Sequence, residues 1–278
     1  MFFKEVVFVN VELSRGLSFL VWFLVLVAFA TIATIVVLYL VPNTVPAVNS
    51  PEFCTEHGFS FDLRRPLPDG LFYLSDGYSN NGDEFNSFWS ADSVWVDDDG
   101  LSLAVTERVG ETEKPFYSGE IRSEMELHWG LYSVVMKPPR VNGIVSSFFL
   151  FASNGDEIDI EFCGKEPKNV EFTYWCRGNP VRKTVELDFD TTADFHKYGF
   201  LWSPRQLVFF VDEVEVWRTR YELNTAMPKT PGRMMMNIWP GGSGLIGWLG
   251  ELEADHLPAV ASYRRIEFVP LWNVKNQP

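Results

Sequence analysis

The sequence has little cysteine, little histidine and few basic residues. Three Cys in 278 residues cannot build a disulfide framework, so the chain must be held by its own core. The four His (His57, His128, His196 and His256) stand at no metal-ligand spacing, and no metal is expected from them. Lys and Arg number 23 against 37 Asp and Glu, a formal charge of -14. That balance argues against a nucleic-acid partner, whose recognition depends on basic patches. Long amphipathic helical patterns and fixed-period repeats are absent too. What is abundant is apolar and aromatic: 46% of residues are hydrophobic, and ten Trp, nine Tyr and 24 Phe make 15% aromatic. The length suits one large domain or two small ones.

The charge is segregated. Lys4, Arg15, Glu5 and Glu12 cancel within the first 41 residues, so the whole of the -14 falls on the remainder. From Leu17 to Val41 there is no charge, Pro or Gly. As a helix this run would extend roughly 37 Å, enough to cross a hydrocarbon core of about 30 Å. Ala28-Phe29-Ala30 resembles a signal-cleavage site, but the apolar run continues past it, beyond the usual h-region of about 7–15 residues. The expectation is an uncleaved anchor at 17–41, with secretion after signal cleavage as the alternative. Lys4 and Arg15 precede the span and no basic residue follows until Arg64, so residues 1–16 are expected to be a cytoplasmic tail. The body would then be extracellular or lumenal, a type II arrangement. Residues 42–56, with three Pro and no helical period, read as a stalk.

From about residue 57 to the end at 278 the period is two. LSLAVTERV (101–109), GLYSVVMKP (130–138), IVSSFFLF (144–151), EIDIEF (157–162), VEFTYW (170–175) and QLVFFVDEVEVW (206–217) are β-branched or aromatic, with turn residues between them. About a dozen such strands predict an all-β sandwich or jelly roll. In the strand around 157–162, alternation puts Ile158, Ile160 and Phe162 on one face and Glu157, Asp159 and Glu161 on the other. The apolar row belongs to the core. Three like charges in line gain nothing from packing and repel one another, so a solvated edge is the weaker reading and carboxylate chemistry the stronger. Cα atoms four residues apart in a strand are roughly 13 Å apart. If both Glu lean inward by about 4 Å, their carboxyls come to about 5 Å, the spacing of retaining cleavage at a glycosidic bond. Asp159 between them would raise a neighbour's pKa and help keep one Glu protonated.

The chain from Asp76 to Gly250 resembles glycoside hydrolase family 16, in particular its bacterial lichenases, the endo-β-1,3-1,4-glucanases. The stretches that carry the resemblance are DGYSNNGDEFNSFW (76–89), SGEIRS (118–123), WGLYSVVMKP (129–138), NGIVSSFF (142–149), DEIDIEFCGK (156–165) and TPGRMMMNIWPG (230–241). The resemblance implies a concanavalin-like jelly roll of two curved antiparallel sheets, with a β-glucan cleft across the concave one. It implies Glu157 as nucleophile, Glu161 as acid/base and Asp159 as assisting carboxylate. Tyr78, Asn81, Phe85, Glu120, Arg122, Phe149, Trp239 and Trp248 match sugar-contacting positions. Parity adds Thr173, Trp175 and Asn237 to that face, beside Phe151 and Glu171. Aromatic rings there would form platforms for sugars, and polar groups would bond their hydroxyls.

The chain also departs from the pattern. The lichenase disulfide positions are Ser87 and Ser118 here, and a carboxylate that helps bind structural calcium aligns with Arg264, which makes calcium doubtful. Cys163 and Cys176 fall on two strands of a hairpin turning near Glu166-Pro167; reflection about it leaves them far apart on opposite faces, as free thiols. Cys54 is a weak candidate for a bridge between two chains; otherwise a monomer is expected. Thr173, Trp175 and Gly155 replace the lichenase Asn, Tyr and Trp near the scissile bond, where linkage preference is set. The expected activity is endo-acting, retaining hydrolysis of β-1,3-1,4-glucan. The alternatives are a glucan or xyloglucan transglycosylase of the same family and a non-catalytic glucan-binding surface protein.

Overall fold

The computed structural model describes residues 50–220 and 226–274. The expected tail, the anchor at 17–41 and most of the stalk lie outside the described residues. Among those described, no helix is long and apolar enough to cross a membrane.

Seventeen strands among the described residues form two sheets. The seven-stranded sheet runs, in spatial order, β12 (Asn179–Glu186), β11 (Asn169–Cys176), β10 (Glu157–Cys163), β9 (Ile144–Phe151), β16 (Gly232–Pro240), β7 (Glu120–Leu127) and β2 (Phe72–Leu74). The ten-stranded sheet runs β15 (Val214–Arg220), β14 (Gln206–Val211), β13 (His196–Trp202), β8 (Gly130–Lys137), β17 (Ala259–Pro270), β5 (Gly100–Glu107), β6 (Phe116–Ser118) and β3 (Ser87–Trp89). Two further strands join its path, β1 (Phe59–Asp62) on β17 and β4 (Val94–Asp97) on β5. This is the expected all-β sandwich. Its core lies between the sheets, where the apolar row of β10 (Ile158, Ile160, Phe162) meets Tyr198, Phe200 and Phe209 of the larger sheet. Phe162 meets Tyr198 edge-on at 4.6 Å, and Phe172 lies 4.9 Å from Phe209.

One pair is not antiparallel. β3 and β6 run parallel, with Ser87 opposite Phe116 and Trp89 opposite Ser118. β4 and β6 both run antiparallel to β5, and β3, which leads into β4, comes alongside β6 in the same direction. Ser87 and Ser118 are buried there, their hydroxyls 2.9 Å apart. At the two positions where the chain departs from the lichenase disulfide, a hydrogen bond joins the serines.

The stalk reading fails at its C-terminal end. Pro51–His57 is a helix, α1, capped by the Ser50 hydroxyl accepting from the Phe53 amide at 3.2 Å, with Pro51 in the first turn. It closes on Gly58 at φ +82°, where a Cβ would stand 2.4 Å from the Phe268 carbonyl. Cys54 on this helix is 0% exposed, inside the core, so it cannot bridge two chains. Trp272, on the terminal helical turn Leu271–Val274, donates to the Glu56 carbonyl at 3.0 Å and ties the C-terminal segment to the same helix. With two further short helices, Ile246–Leu249 (α2) and Leu271–Val274 (α3), the described helices are all brief.

Candidate active site

β10 sits near the middle of the seven-stranded sheet, and its register sets the site. Toward β9, Glu157 faces Phe151, Asp159 faces Phe149 and Glu161 faces Ser147. Toward β11, the same carboxylates face Trp175, Thr173 and Glu171. Because the side-chain period is two, the core row on the opposite face pins this register; a slip of one residue would turn Ile158, Ile160 and Phe162 out to solvent. β16 and β7 extend the rows, with Asn237 opposite Ser147 and Glu120 opposite Asn237. Glu171, Glu161, Ser147, Asn237 and Glu120 therefore form one transverse line across five strands.

The β7 end of that line is tightly bonded. Glu120, 3% exposed, accepts from the Ser75 hydroxyl at 2.5 Å, Arg122 Nε at 2.8 Å and Asn237 Nδ2 at 3.1 Å. Asn237 Oδ1 in turn accepts from the Ser147 hydroxyl at 2.5 Å. Burial pushes the Glu120 carboxyl up to about 7, against the hydrogen bonds from Ser75 and Asn237. The Arg122 guanidinium at 2.7 Å works with those bonds, and we take Glu120 as ionised at neutral pH because Arg122 would otherwise lose its counter-charge.

The carboxylates of β10 are crowded. Burial raises the Glu157 carboxyl, and its hydrogen bond with Asp159 lowers it. Asp159 is held well above the usual aspartate range by burial and by the charges of Glu157 and Glu161. Glu161 is also raised, by burial and then by the charges of Glu171 and Glu157, with Arg182 opposing. Asp159 thus carries the proton of its bond and donates it to Glu157. All three carboxyls are raised by burial, and Asp159 and Glu161 also by their neighbours' charges, so protons are held by the cluster as a unit.

An aromatic wall flanks the line. Phe85 lies 4.2 Å from Trp239, and Trp239 lies 6.2 Å from Trp248 on α2. Gly164, just past β10, lets the chain pass Val141, whose carbonyl a Cβ there would meet at 2.0 Å. Tyr78, 37% exposed, is bridged through its backbone to Trp89, with the Arg122 guanidinium 5.6 Å from its ring. Asn81 is exposed on a polar pocket of about 470 Å³ with Asn86, Lys114 and Ser243. Trp175 is half-buried, with Arg182 6.0 Å from its ring, while Phe149 is buried opposite Asp159.

Thr173 lies opposite Asp159 on the expected face, 0% exposed and with its hydroxyl unpartnered. Sequence reasoning missed Ser75, Ser147 and Arg182. Arg182 was within reach: Arg177 and Gly178, at φ 54° and 76°, form a two-residue hairpin turn, and reflection about it places Arg182 opposite Thr173. Ser75 and Ser147 had no local signal. Cys163 and Cys176 are free thiols on opposite faces of the sheet, as the hairpin implied.

Residues 81–254 match the model of the glycosyl hydrolases family 16. The beta-glucanase of Paenibacillus polymyxa is 40% identical over 201 residues, covering 70% of this chain and 80% of its own. That of Bacillus subtilis (strain 168) is 36% identical over 229 residues, covering 80% and 90%. Among solved structures, a beta-1,3-1,4-glucanase (lichenase) derived from a mouse hindgut metagenome superposes with a TM-score of 0.72 at 34% identity, covering 77% of this chain and all of that one.

Proposed function

The chain belongs to the glycosyl hydrolases family 16, and on that footing we propose that it is an endo-acting, retaining β-glucanase that cleaves β-1,3-1,4-glucan. The observation that carries the reading is the single β10 face bearing Glu157, Asp159 and Glu161 within a line of polar side chains spanning five strands. Such a line suits an extended polymer lying across the strands, with Phe85, Trp239 and Trp248 as ring platforms and Glu120, Arg122 and Asn237 as partners for hydroxyls.

In the first step the Glu157 carboxylate attacks the anomeric carbon. The glycosidic C–O bond breaks, its electron pair moves to the leaving oxygen, and Glu161 supplies the proton. A glycosyl ester on Glu157 results. Glu161, now ionised, takes a proton from water as the water oxygen attacks the same carbon. The ester bond breaks, its pair returns to Glu157, and Glu161 is protonated again. Asp159 donates to Glu157 in the resting state, orienting it. Burial of Glu161 favours the protonated form the first step needs.

Calcium does not fit the position that the resemblance suggested. The Arg264 side chain donates to the Asp99 carbonyl at 3.3 Å, its Nη2 lies 3.6 Å from the Asp99 carboxylate, and its guanidinium stacks 3.8 Å over the Phe195 ring. A fixed cation there replaces an oxygen ligand and repels a second cation. Among the described residues no three His, Cys, Asp or Glu side chains are grouped to hold a metal.

The activity is tested by incubating the protein with mixed-linkage glucan, laminarin, xyloglucan and chitin and measuring new reducing ends. Mixed-linkage glucan is expected to be cut fastest, with the β-anomer formed first and Glu157→Gln inactive. Undiminished cleavage by Glu157→Gln would overturn the nucleophile assignment, and transfer to a labelled acceptor outrunning hydrolysis would turn the reading to a transglycosylase.

A further inference from the structure

Glu171 stands directly opposite Glu161 on the neighbouring strand, a fourth carboxylate in the cleft that the mechanism above leaves unused. Like charges on directly opposed residues destabilise a sheet, so packing does not account for the pair. Glu171 nonetheless has an ion-pair partner and a hydrogen-bond partner. Arg182 on β12 brings Nε to 3.2 Å, and the Trp248 side chain on α2 hydrogen-bonds the carboxylate. Glu161 and Glu171 share a pocket of about 140 Å³ with Cys163, Lys165, Thr184 and Trp248.

We propose that Glu171 is a positioning residue for leaving-group protonation: held by Arg182 and Trp248, its carboxylate keeps the proton on Glu161, and Arg182 limits how strongly it does so. This rests on the acid/base role given to Glu161. The groups facing Glu161 are few enough to separate. On its own strand are Glu157, Asp159 and Cys163, and the β11 partner is Glu171, with Arg182 behind it on β12. The following turn brings Lys165 and Glu166. On the other side the neighbours are neutral, Ser147 and then Asn237, before the Glu120–Arg122 pair. Glu171 is thus the closest charge to Glu161 across the strands, and the pair Glu171–Arg182 is a dial of two opposite signs. Consistent with this, the Glu171 charge is the largest electrostatic influence raising Glu161, and Arg182 is the one that lowers it.

The test is the pH profile of kcat/KM on mixed-linkage glucan for the parent, Glu171→Gln and Arg182→Gln. Losing the negative charge should move the alkaline limb down by about one pH unit, a tenfold loss above the limb. Losing the positive charge should move it up. Arg182 is 48% exposed on an edge strand, so its variant is expected to fold even if Glu171→Gln is weakened. A dinitrophenyl glycoside of a glucan oligosaccharide, whose leaving group needs no proton, should show parent-like rates with Glu171→Gln. Limbs that stay in place, that move the same way in both variants, or equal losses on both substrates at every pH would overturn the proposal. If Glu157→Gln is inactive while the limbs stay fixed, this inference alone fails; if Glu157→Gln is active, the underlying mechanism fails.

Discussion

Replacing Ser87 and Ser118 together by Cys should convert the buried hydrogen bond between β3 and β6 into a covalent bridge. The two hydroxyls are 2.9 Å apart and point at each other from strands already paired, 31 residues apart in sequence. Closing a loop of that length removes denatured-chain entropy worth about 3.7 kcal/mol at 25 °C in the loop-closure treatment. Against this stands the lost serine–serine hydrogen bond, about 1 kcal/mol. The net gain of about 2.7 kcal/mol corresponds to a rise in Tm of roughly 5–11 °C for a domain of this size. The assay is thermal unfolding of the double variant before and after reduction, with thiol titration to count bridges. The parent should melt alike in both conditions, because its described cysteines are free. An oxidised variant that forms the bridge yet melts no higher than its own reduced form would refute the reasoning. It would mean that the β3–β6 edge is already open in the rate- or stability-limiting step, so that closing it constrains nothing.

Three further outcomes follow from the arrangement of charges. Glu161→Gln should raise Tm at pH 8 and leave it nearly unchanged at pH 4. A carboxyl raised by burial and like charges binds its proton more tightly folded than unfolded, so its contribution falls as pH climbs above the ordinary glutamate range. A larger gain at pH 4 than at pH 8 would contradict the sign. A chelator should leave the Tm of the parent unchanged, whereas Arg264→Ala should lose about 1–2 kcal/mol by urea unfolding, through its bond to Asp99 and its stack on Phe195.

What could be read in advance, and what could not, divides along local and non-local lines. Alternation in 157–162 assigned both faces of β10, because the strand period is a local property. The hairpin near Glu166 was equally accessible, since a short turn fixes which residues oppose one another. The helix at Pro51–His57 was hidden in plain view: Ser50 followed by Pro51 is an N-cap signal, but two other prolines nearby made the segment read as a linker. Tertiary packing of Cys54 into the core then stabilises a helix too short to stand alone. Ser75 and Ser147 were beyond reach for a different reason. Their partners, Glu120 and Asn237, lie 45 and 90 residues away; the pairing of β2 with β7 brings Ser75 to Glu120, and that of β9 with β16 brings Ser147 to Asn237.

That dependence on pairing links the core to the chemistry. The line from Glu171 to Glu120 draws its members from five strands, and each strand's register could slip in steps of one or two residues. A one-residue slip is excluded by the apolar face, but a two-residue slip keeps parity and would leave apolar residues inside. What rejects it is shape: Phe148, Ile160 and Phe172 lie opposite one another on the core face, Phe148 packing toward Phe200 at 6.0 Å and Phe172 toward Phe209 at 4.9 Å. Moving β11 by two residues against β10 would carry Phe172 out of step with Phe209 of β14, and Tyr174 out of step with Trp217 of β15. It would also bring Thr173 or Asn169, in place of Glu171, against Glu161. Enlarging or trimming those core rings should therefore disturb the pH dependence of the cleft without any change to its own residues. Phe172→Leu is the informative case: a shifted alkaline limb with an unchanged Glu157 nucleophile would trace the proton chemistry of Glu161 to the packing beneath it, and an unshifted limb in a folded variant would show the register to be held elsewhere.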